Sequence, residues 1–413
     1  MKSASGLRTL LAMFAVWIVL AMLSYVPGDL LSTVALVWLP TGAALAVAGV
    51  VNAWRLPWVL AASGLAAWGF SLGSGMPFTT ALMEGVGETL SVLSGAALLR
   101  ASRSWGDARL RWLGQVTACA ITSVLNASSF VIAWQLSEQS LPWAVSWVYA
   151  AVGEWVGALL IVPIVVSFSA FRAKRSGGMT MLHFGGGAVA YAGFLIAASL
   201  VFQGDVGERF GQTLGPSLTY LPLSLLVLTA LVWGERGGVL AIALGAALMI
   251  GWTVVGRGPF ALNEGFPGEA LLEVQAYVAA IALLSGLMLS LQAHTAHALE
   301  NARRWKMRYL QVLETGGFAT LSIDASSGVC AWSENASQFL GKAPDETVAA
   351  LIERAEPADQ PLMRSQWRAL QEGNQASARW TWPDSRQATL CAVAGPDGRV
   401  ELVTALFVNT GRS

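Results

Sequence analysis

The sequence predicts a polytopic α-helical membrane protein of about ten transmembrane helices, followed by a smaller C-terminal domain of mixed α and β structure. Of its 413 residues, 55% are hydrophobic and only 12% are charged, which is far more apolar than a soluble domain. Stretches of about 20 apolar residues, the length that crosses a hydrocarbon core of about 30 Å, recur between Leu7 and Gln292. After Gln292 the composition changes abruptly to that of a soluble segment.

Breaks at proline, glycine and charged residues divide the apolar region into ten candidate spans. They cover residues 7–26, 33–51, 56–72, 78–99, 113–136, 142–170, 182–203, 218–233, 238–256 and 270–292.

The positions of lysine and arginine test this count, because these residues are retained on the cytoplasmic side near the ends of spans. Most of the basic residues lie on every second connection between spans, and the connections in between carry only Arg209 and Arg257. Ten spans therefore predict that both termini are cytoplasmic, and the short basic start without a small-residue cleavage site predicts an anchor instead of a removed signal peptide. The other basic residues of this region fall on alternate connections: Lys2 and Arg8, Arg55, Arg100 with Arg103, Arg109 and Arg111, Arg172 with Lys174 and Arg175, and Arg236.

A seam typical of a coiled coil begins in the last span and continues beyond it. Its positions alternate steps of four and three, which favours pairing with a second copy of the helix. We therefore expect residues 293–312 to form a signalling helix and the chain to form a homodimer. The alternative is a helix that lies against its own soluble domain. The seam positions are Leu284, Met288, Leu291, Thr295, Ala298, Ala302, Trp305, Tyr309 and Val312.

The remaining segment alternates short β-type runs with turn signals. A helix is predicted over 360–373, and Gly373 is placed where a helix C-cap would lie. Two strands, then helices, then three antiparallel strands describe an α+β domain. The five runs are 318–324, 328–334, 378–382, 387–394 and 399–408.

Three stretches of this segment resemble the PAS pattern. WSENASQFLG (332–341) is similar to a strand followed by a Leu-Gly helix end. AEPADQPLM (355–363) is similar to the Pro-x-Asp turn, and WRALQEG (367–373) to the helix before the third strand. The resemblance covers about residues 306–410, and we assign residues 313–410 to a cytoplasmic PAS-like domain.

The membrane region, residues 7–292, resembles the first class of membrane-associated sensor (MASE) domains. That family implies a bacterial inner-membrane sensor that passes a signal to a histidine kinase, diguanylate cyclase or phosphodiesterase. This chain departs from the family at Glu88 and Ser91, where Asn and Glu are usual, and at Glu154, where Asp is commoner. The resemblance rests on VWLPTGAALAVAGV (37–50), EGVGETLSVLSGAALLR (84–100), WVYAAVGEWVGALLIVPIV (147–165), ALVWGERGG (230–238), GPF (258–260) and LEVQAY (272–277).

Glu84, Glu88 and Glu154 are acidic residues inside apolar spans. A carboxylate at the centre of a transmembrane helix costs about 2.5–3.5 kcal/mol, so Glu154 is expected to face the interior of the bundle. Glu84 and Glu88 are four residues apart on one helix face. Glu84, Glu88, Glu154 and Asn126 are expected to form one of two things. They are either a polar cluster that senses a ligand, an ion or protonation, or a hydrogen-bonded patch that fixes helix packing. The segment from Trp38 to Gly42 is interpreted as a helix kink and packing element.

Catalytic signatures of cyclases, phosphodiesterases and P-loop enzymes do not occur in the sequence, so no enzymatic activity is expected. His294 and His297 lie on the predicted signalling helix. A phosphoacceptor histidine would need an ATP-binding domain, and none is predicted after them. The PAS-like segment has no histidine for haem and no flavin-attachment stretch, and Cys119, Cys330 and Cys391 have no metal-like spacing. We therefore expect no cofactor, no metal and no nucleic-acid partner.

The expected partners are the lipid bilayer, a second copy and an unidentified cytoplasmic signalling protein. Two alternative functions remain open. One is a transporter or permease-like protein with a regulatory domain, favoured by the intramembrane acids. The other is a degenerate remnant of a sensor kinase or cyclase that acts as a scaffold.

Overall fold

The structure is a computed structural model, and it forms two compact units, Met1–Ala296 and His297–Ser413. It describes residues 2–24, 37–137, 143–169, 181–203, 218–261, 269–316, 318–333, 336–337, 344–382, 386–395 and 399–409.

Within the described residues the first unit is a bundle of nine helices, the last of which continues past Ala296 into the second unit. A single 3₁₀ turn, Ala53–Arg55, precedes the third helix. The helices are α1 (Lys2–Ser24), α2 (Leu39–Val50), α3 (Leu56–Gly73), α4 (Phe78–Arg103), α5 (Ala108–Leu136), α6 (Trp143–Ser169), α7 (Met181–Phe202), α8 (Tyr220–Val254) and α9 (Glu269–Gly316).

Eight of the described helices are long and apolar enough to cross a membrane, so the polytopic architecture is confirmed. The count of ten is not confirmed, and the difference has two physical sources. The predicted span 33–51 is helical only over Leu39–Val50, about 18 Å at 1.5 Å per residue, and residues 33–36 lie outside the described part. The predicted spans 218–233 and 238–256 are both parts of α8.

Helix α8 is broken at Gly234, whose φ of 70° and ψ of −168° are essentially restricted to glycine. The two legs turn back on each other at this point. A Cβ atom added to Gly238 would lie 3.0 Å from Cα of Ala230, and one added to Gly245 would lie 2.8 Å from Cδ2 of Leu226. The sequence between the two predicted spans therefore forms the tip of a helical hairpin.

Basic connections gather at the end of the bundle where α9 leaves it. Asp107, in the α4–α5 connection, lies 3.2 Å from His294 of α9. The Nε atom of Arg236 donates to the Ser167 carbonyl near the end of α6. Gln292 donates to the carbonyl of Leu231. The Asp107, His294 and Arg236 contacts thus lie on one side of the bundle, as alternation of the basic connections requires.

The second unit contains one five-stranded antiparallel sheet with the order β2-β1-β5-β4-β3. The five predicted runs and the predicted helix are confirmed to within three residues at each boundary. Gly373 has a φ of 72° just beyond the C-cap of that helix, as predicted. The elements are β1 (Phe318–Asp324), β2 (Cys330–Trp332), α10 (Val348–Glu353), α11 (Gln360–Gln371), β3 (Ser377–Thr381), β4 (Arg386–Ala394) and β5 (Val400–Asn409).

Alternate residues of the strands form the core of this unit. Leu321 and Ile323 of β1, Leu390 of β4 and Phe407 of β5 are buried on one face. Residues of both short helices, including Leu351 and Leu370, belong to the same cluster. The sheet therefore carries helices on its apolar face.

The hairpin in α8 depends on the backbone conformation of Gly234. Gly234→Ala places a Cβ atom on a backbone that L residues rarely adopt, at a cost of about 1–3 kcal/mol. We expect a lower thermal unfolding temperature for the purified protein in detergent. Gly251→Ala is the matched control, because a Cβ atom there meets nothing within 4 Å. Equal unfolding temperatures for the two variants would contradict the hairpin.

Candidate functional site

Glu88 lies on the buried face of α4, where it is 1% exposed. Its Oε1 atom accepts a hydrogen bond from Trp17 Nε1 of α1 at 3.1 Å, and its Oε2 atom accepts one from Thr41 Oγ1 of α2 at 2.8 Å. Burying a carboxylate in apolar surroundings is costly unless donors replace the lost water. Each oxygen of Glu88 has such a donor.

Asn126 of α5 extends these bonds to α6. Its Nδ2 atom donates to Thr41 Oγ1 at 3.2 Å and to Glu154 Oε1 at 3.0 Å. Trp38 Nε1 also donates to Thr41 Oγ1, at 3.1 Å. Thr41 thus accepts two hydrogen bonds and donates one, which is the full capacity of a hydroxyl group. The buried polar network, defined as Trp17, Trp38, Thr41, Glu88, Asn126 and Glu154, joins five helices.

The far end of this network carries two oxygen atoms that have no hydrogen-bond partner among the described residues. They are Asn126 Oδ1 and Glu154 Oε2, and both are buried. Asn126 is 6% exposed and Glu154 is 5% exposed, so bulk water does not reach them. As the sequence predicted, the Glu154 side chain faces the interior of the bundle.

Three aromatic side chains pack together beside the network. The ring centroids of Trp17 and Trp38 are 5.5 Å apart, and Phe70 of α3 lies 6.0 Å from Trp17 and 5.7 Å from Trp38. All three pairs have the edge-to-face geometry that aromatic rings favour. Because two of these rings also donate into the network, apolar packing and polar bonding fix the same side chains.

Glycine allows the helices around the network to approach closely. A Cβ atom on Gly42 of α2 would lie 2.7 Å from Cα of Ala158, and one on Gly157 of α6 would lie 2.1 Å from the Trp38 carbonyl oxygen. A Cβ atom on Gly64 of α3 would lie 2.9 Å from the Gly85 carbonyl oxygen of α4. These obstacles are backbone atoms, which cannot rotate away. Small residues at helix contacts are typical of membrane bundles.

Both ends of the short helix α2 are bonded to neighbouring helices. At its start, the Leu39 amide donates to Ser24 Oγ at 3.1 Å. At its end, Arg100 donates to the carbonyls of Ala48 and Val51, at 2.9 and 2.7 Å. Arginine at a helix C-terminus satisfies free carbonyls and complements the helix dipole. The first turn of α2, which carries Thr41, is therefore held beside Glu88.

Glu84 does not join the other three predicted site residues. Its Oε2 atom accepts a hydrogen bond from Ser71 Oγ of α3. Glu84 lies one turn before Glu88 on α4, but no described bond connects it to the network. The structure thus brings together Glu88, Asn126 and Glu154 and leaves Glu84 apart.

A second feature is a cavity of about 150 Å³ between α5, α6, α8 and α9. Cys119 and Pro163 line it, together with polar side chains that include Arg111, Gln115 and Glu235. Gly286 of α9 belongs to the same wall. This cavity adjoins α9, whereas no residue of the buried polar network belongs to α9.

The predicted seam of α9 faces outward. Leu284, Met288 and Leu291 are each 37% exposed, while Ser285 and Leu289 on the other side of the helix are buried. Thr295, Ala298, Ala302 and Trp305 are also exposed, and the side chains of Tyr309 and Val312 lie outside the described part of the chain.

The interpretation of Trp38 to Gly42 as a kink is wrong. Pro40 lies in the first turn of α2, where proline has no amide to lose, so it starts the helix instead of bending it. Sequence reasoning also missed Thr41, the centre of the network, and Trp17 and Ser71. A proline followed by threonine near a buried acid is the signal that points to a polar helix start.

The network gives the second prediction. Thr41→Val keeps the shape of the side chain but removes the donor to Glu88 Oε2 and the acceptor of Trp38 Nε1 and Asn126 Nδ2. Each buried polar group left unpaired costs about 1–3 kcal/mol. We expect a lower thermal unfolding temperature in detergent. Thr229→Val is the matched control, because Thr229 is equally buried but its hydroxyl donates only to Leu225 of its own helix. If both variants lower the unfolding temperature by the same amount, the hydrogen bonds of Thr41 to other side chains do not stabilise the bundle.

Comparison with known proteins identifies the membrane region. No curated protein and no solved structure matches the chain. The family model of MASE1, a membrane-associated sensor domain of signalling proteins, matches residues 6–292. This range is more than half of the 413 residues and contains every residue of the buried polar network. The chain therefore belongs to the MASE1 family.

Proposed function

We propose that this protein is a bacterial inner-membrane sensor that passes a signal from its bundle, through α9, to the C-terminal domain and a separate output partner. The observation that carries this proposal is the continuity of α9. This helix begins at Glu269 in the bundle and ends at Gly316, directly before β1 begins at Phe318. A helix without a break transmits a rotation or a shift along its axis.

Contacts inside the bundle support a role for α9 as the moving element. A Cβ atom on Gly286 would lie 2.4 Å from Nε1 of Trp112, so α5 and α9 touch closely. Helix α5 carries Asn126 as well as Trp112, and α6 carries Glu154 as well as Pro163 in the wall of the cavity. A change at the network therefore reaches α9 through α5 and α6, which line the cavity with it.

The output leaves by contact in this proposal. The second unit has the strand order β2-β1-β5-β4-β3 and the chain order of two strands, helices and three strands, which supports its assignment as a PAS-like domain. Such a domain would bind a histidine kinase, diguanylate cyclase or phosphodiesterase. The outward-facing seam positions from Leu284 to Trp305 support a homodimer, since their spacing in steps of four and three favours pairing with a second copy of α9.

One observation favours a transporter as a second candidate function. Helix α2 starts at a buried position beside Glu88, and discontinuous helices that begin near a polar site occur in secondary transporters. Solute accumulation by proteoliposomes that contain the purified chain would favour this function over the sensor.

The proposed topology has ten crossings with both termini in the cytoplasm. Reporter fusions after residues 105, 174 and 413 should report the cytoplasm, and fusions after 139, 209 and 263 the outside. The pair at 209 and 263 decides whether α8 crosses twice, because α8 as a hairpin returns the chain to the same side. If these two fusions report opposite sides, α8 crosses once and the ten-crossing topology is wrong.

Transmission along α9 is tested by changing its phase. Deleting Asn301 and Ala302 rotates the following residues by about 200°, whereas deleting residues 298–304 removes about two turns and roughly preserves the seam. The chain is purified from its native membranes, and kinase, cyclase and phosphodiesterase activities that copurify are measured. We expect the two-residue deletion to reduce the captured activity by about tenfold, and the seven-residue deletion to be milder.

Membrane levels of both variants serve as the control, because neither deletion alters the bundle. Equal effects of the two deletions would indicate a flexible tether in place of a rigid helix. Any of these activities in the purified chain alone would overturn output by contact.

A further inference from the structure

The network lacks one hydrogen at its α6 end. The two amide hydrogens of Asn126 Nδ2 are used by Thr41 Oγ1 and Glu154 Oε1, and the hydroxyl hydrogen of Thr41 is used by Glu88 Oε2. Two acceptors, Asn126 Oδ1 and Glu154 Oε2, remain buried without a donor among the described residues. Each buried acceptor without a partner costs free energy, so the hydrogen bonding at this end of the network is incomplete.

Turning the Asn126 amide over does not remove the deficit. Its oxygen would then face Glu154 Oε1 and Thr41 Oγ1. The Glu154 carboxylate has no hydrogen, and Thr41 already gives its hydrogen to Glu88. The amide nitrogen would lose both of its present acceptors. The missing hydrogen therefore has to come from outside the described side chains.

We propose that Glu154 binds a proton and holds it between its Oε2 atom and Asn126 Oδ1, while Glu88 stays a carboxylate. The proton turns Oε2 from an acceptor into a donor, and the remaining free acceptor of the network is Asn126 Oδ1. An amide and a carboxylic acid then form two bonds side by side, N–H to Oε1 and O–H to Oδ1. Glu88 needs no proton, because both of its oxygens already accept from donors.

The charges around Glu154 are consistent with a neutral acid. Helix α2 has no ionisable residue, and the described part of α5 near Asn126 offers only Cys119. The basic residues of α5 and α8 lie at the end of the bundle where α9 leaves it, and no lysine, arginine or histidine is among the described partners of Glu88 or Glu154. The facing ionisable groups are Glu88 and Glu84 of α4. Two ionised acids without a cation would repel each other in a medium that screens them weakly.

A metal ion fits this site less well than a proton. Calcium takes six to eight oxygen ligands and magnesium six in octahedral geometry. The network offers two oxygens without a partner, Asn126 Oδ1 and Glu154 Oε2. A shared proton needs two such atoms, one to carry it and one to accept it.

The test compares the same substitution at the two acids in the purified full-length chain. Glu154→Gln replaces the proposed O–H by an N–H donor, so its unfolding temperature at neutral pH should lie within about 2 °C of wild type. Glu88→Gln turns an amide hydrogen toward Trp17 or Thr41, which are themselves donors. It should lower the unfolding temperature by about 5 °C or more. Equal losses in both variants would overturn the proposal.

Infrared spectra and pH give a direct readout of the proton. Wild type should show the carbonyl band of a protonated carboxylic acid at neutral pH, and Glu154→Gln should lose it. Because the folded state holds this proton, the stability that Glu154 contributes to wild type should fall as the pH rises, and Glu154→Gln should lack that part of the fall. Persistence of the band in Glu154→Gln would refute the assignment. A shift of the wild-type unfolding temperature between sodium and potassium salts, absent in Glu154→Gln, would overturn it in favour of a cation.

The use of this proton as a stimulus rests on the proposed function and is measured separately. If the proton is the signal, the enzymatic activity captured by wild type should change with pH, and that captured by Glu154→Gln should not. Capture that is independent of pH in wild type would refute the sensing role of the proton. The infrared and unfolding results would still decide whether Glu154 carries it.

Discussion

The hydrogen bond from Thr41 to Glu88 is the constraint on which the arrangement of the bundle depends. An ionised or unpaired carboxyl group is costly in apolar surroundings, so Glu88 fixes where the first turn of α2 has to lie. With its first turn at that position, α2 has to begin inside the bundle. Helix α6 also has to approach α2 closely, which is possible because Gly157 has no side chain. Arg100 then completes α2 at its other end. A helix of twelve residues keeps its place because polar partners bind both ends.

The network also joins two kinds of helix that have different roles. Helices α1, α2 and α4 hold Glu88 with complete hydrogen bonding, which suits a fixed support. Helices α5 and α6 meet at Asn126 and Glu154, where the bonding is incomplete, and these same helices line the cavity beside α9. If Glu154 binds a proton as proposed, the part of the bundle that changes with it is therefore the part that contacts the helix leading to the C-terminal domain.

Much of the fold follows from the sequence, and the exceptions have physical causes. Hydropathy identified the membrane region, and short β-type runs separated by turn signals identified the five strands, because both signals are local in the sequence. Hydropathy could not show that α2 is a short helix, since apolar composition continues on both sides of Leu39. It predicted two spans around Gly234, but the turn between them depends on a backbone conformation that composition does not encode. The burial of Glu154 was predictable from the cost of exposing a carboxylate to lipid.

The membership of the network was less predictable because it depends on which helices are neighbours. Nothing in the local sequence links Trp17 to Glu88, which is 71 positions away. Glu84 shares a helix face with Glu88, but it accepts its hydrogen bond from Ser71 on a different helix. Thr41 was included in a predicted kink and packing element because of Pro40, and its hydroxyl was not considered; a threonine hydroxyl often bonds to its own helix, as Thr229 does. Only the start of a helix frees that hydroxyl to bond to other helices. In this bundle the position of a helix start, more than the number of acids, determines where a polar site forms.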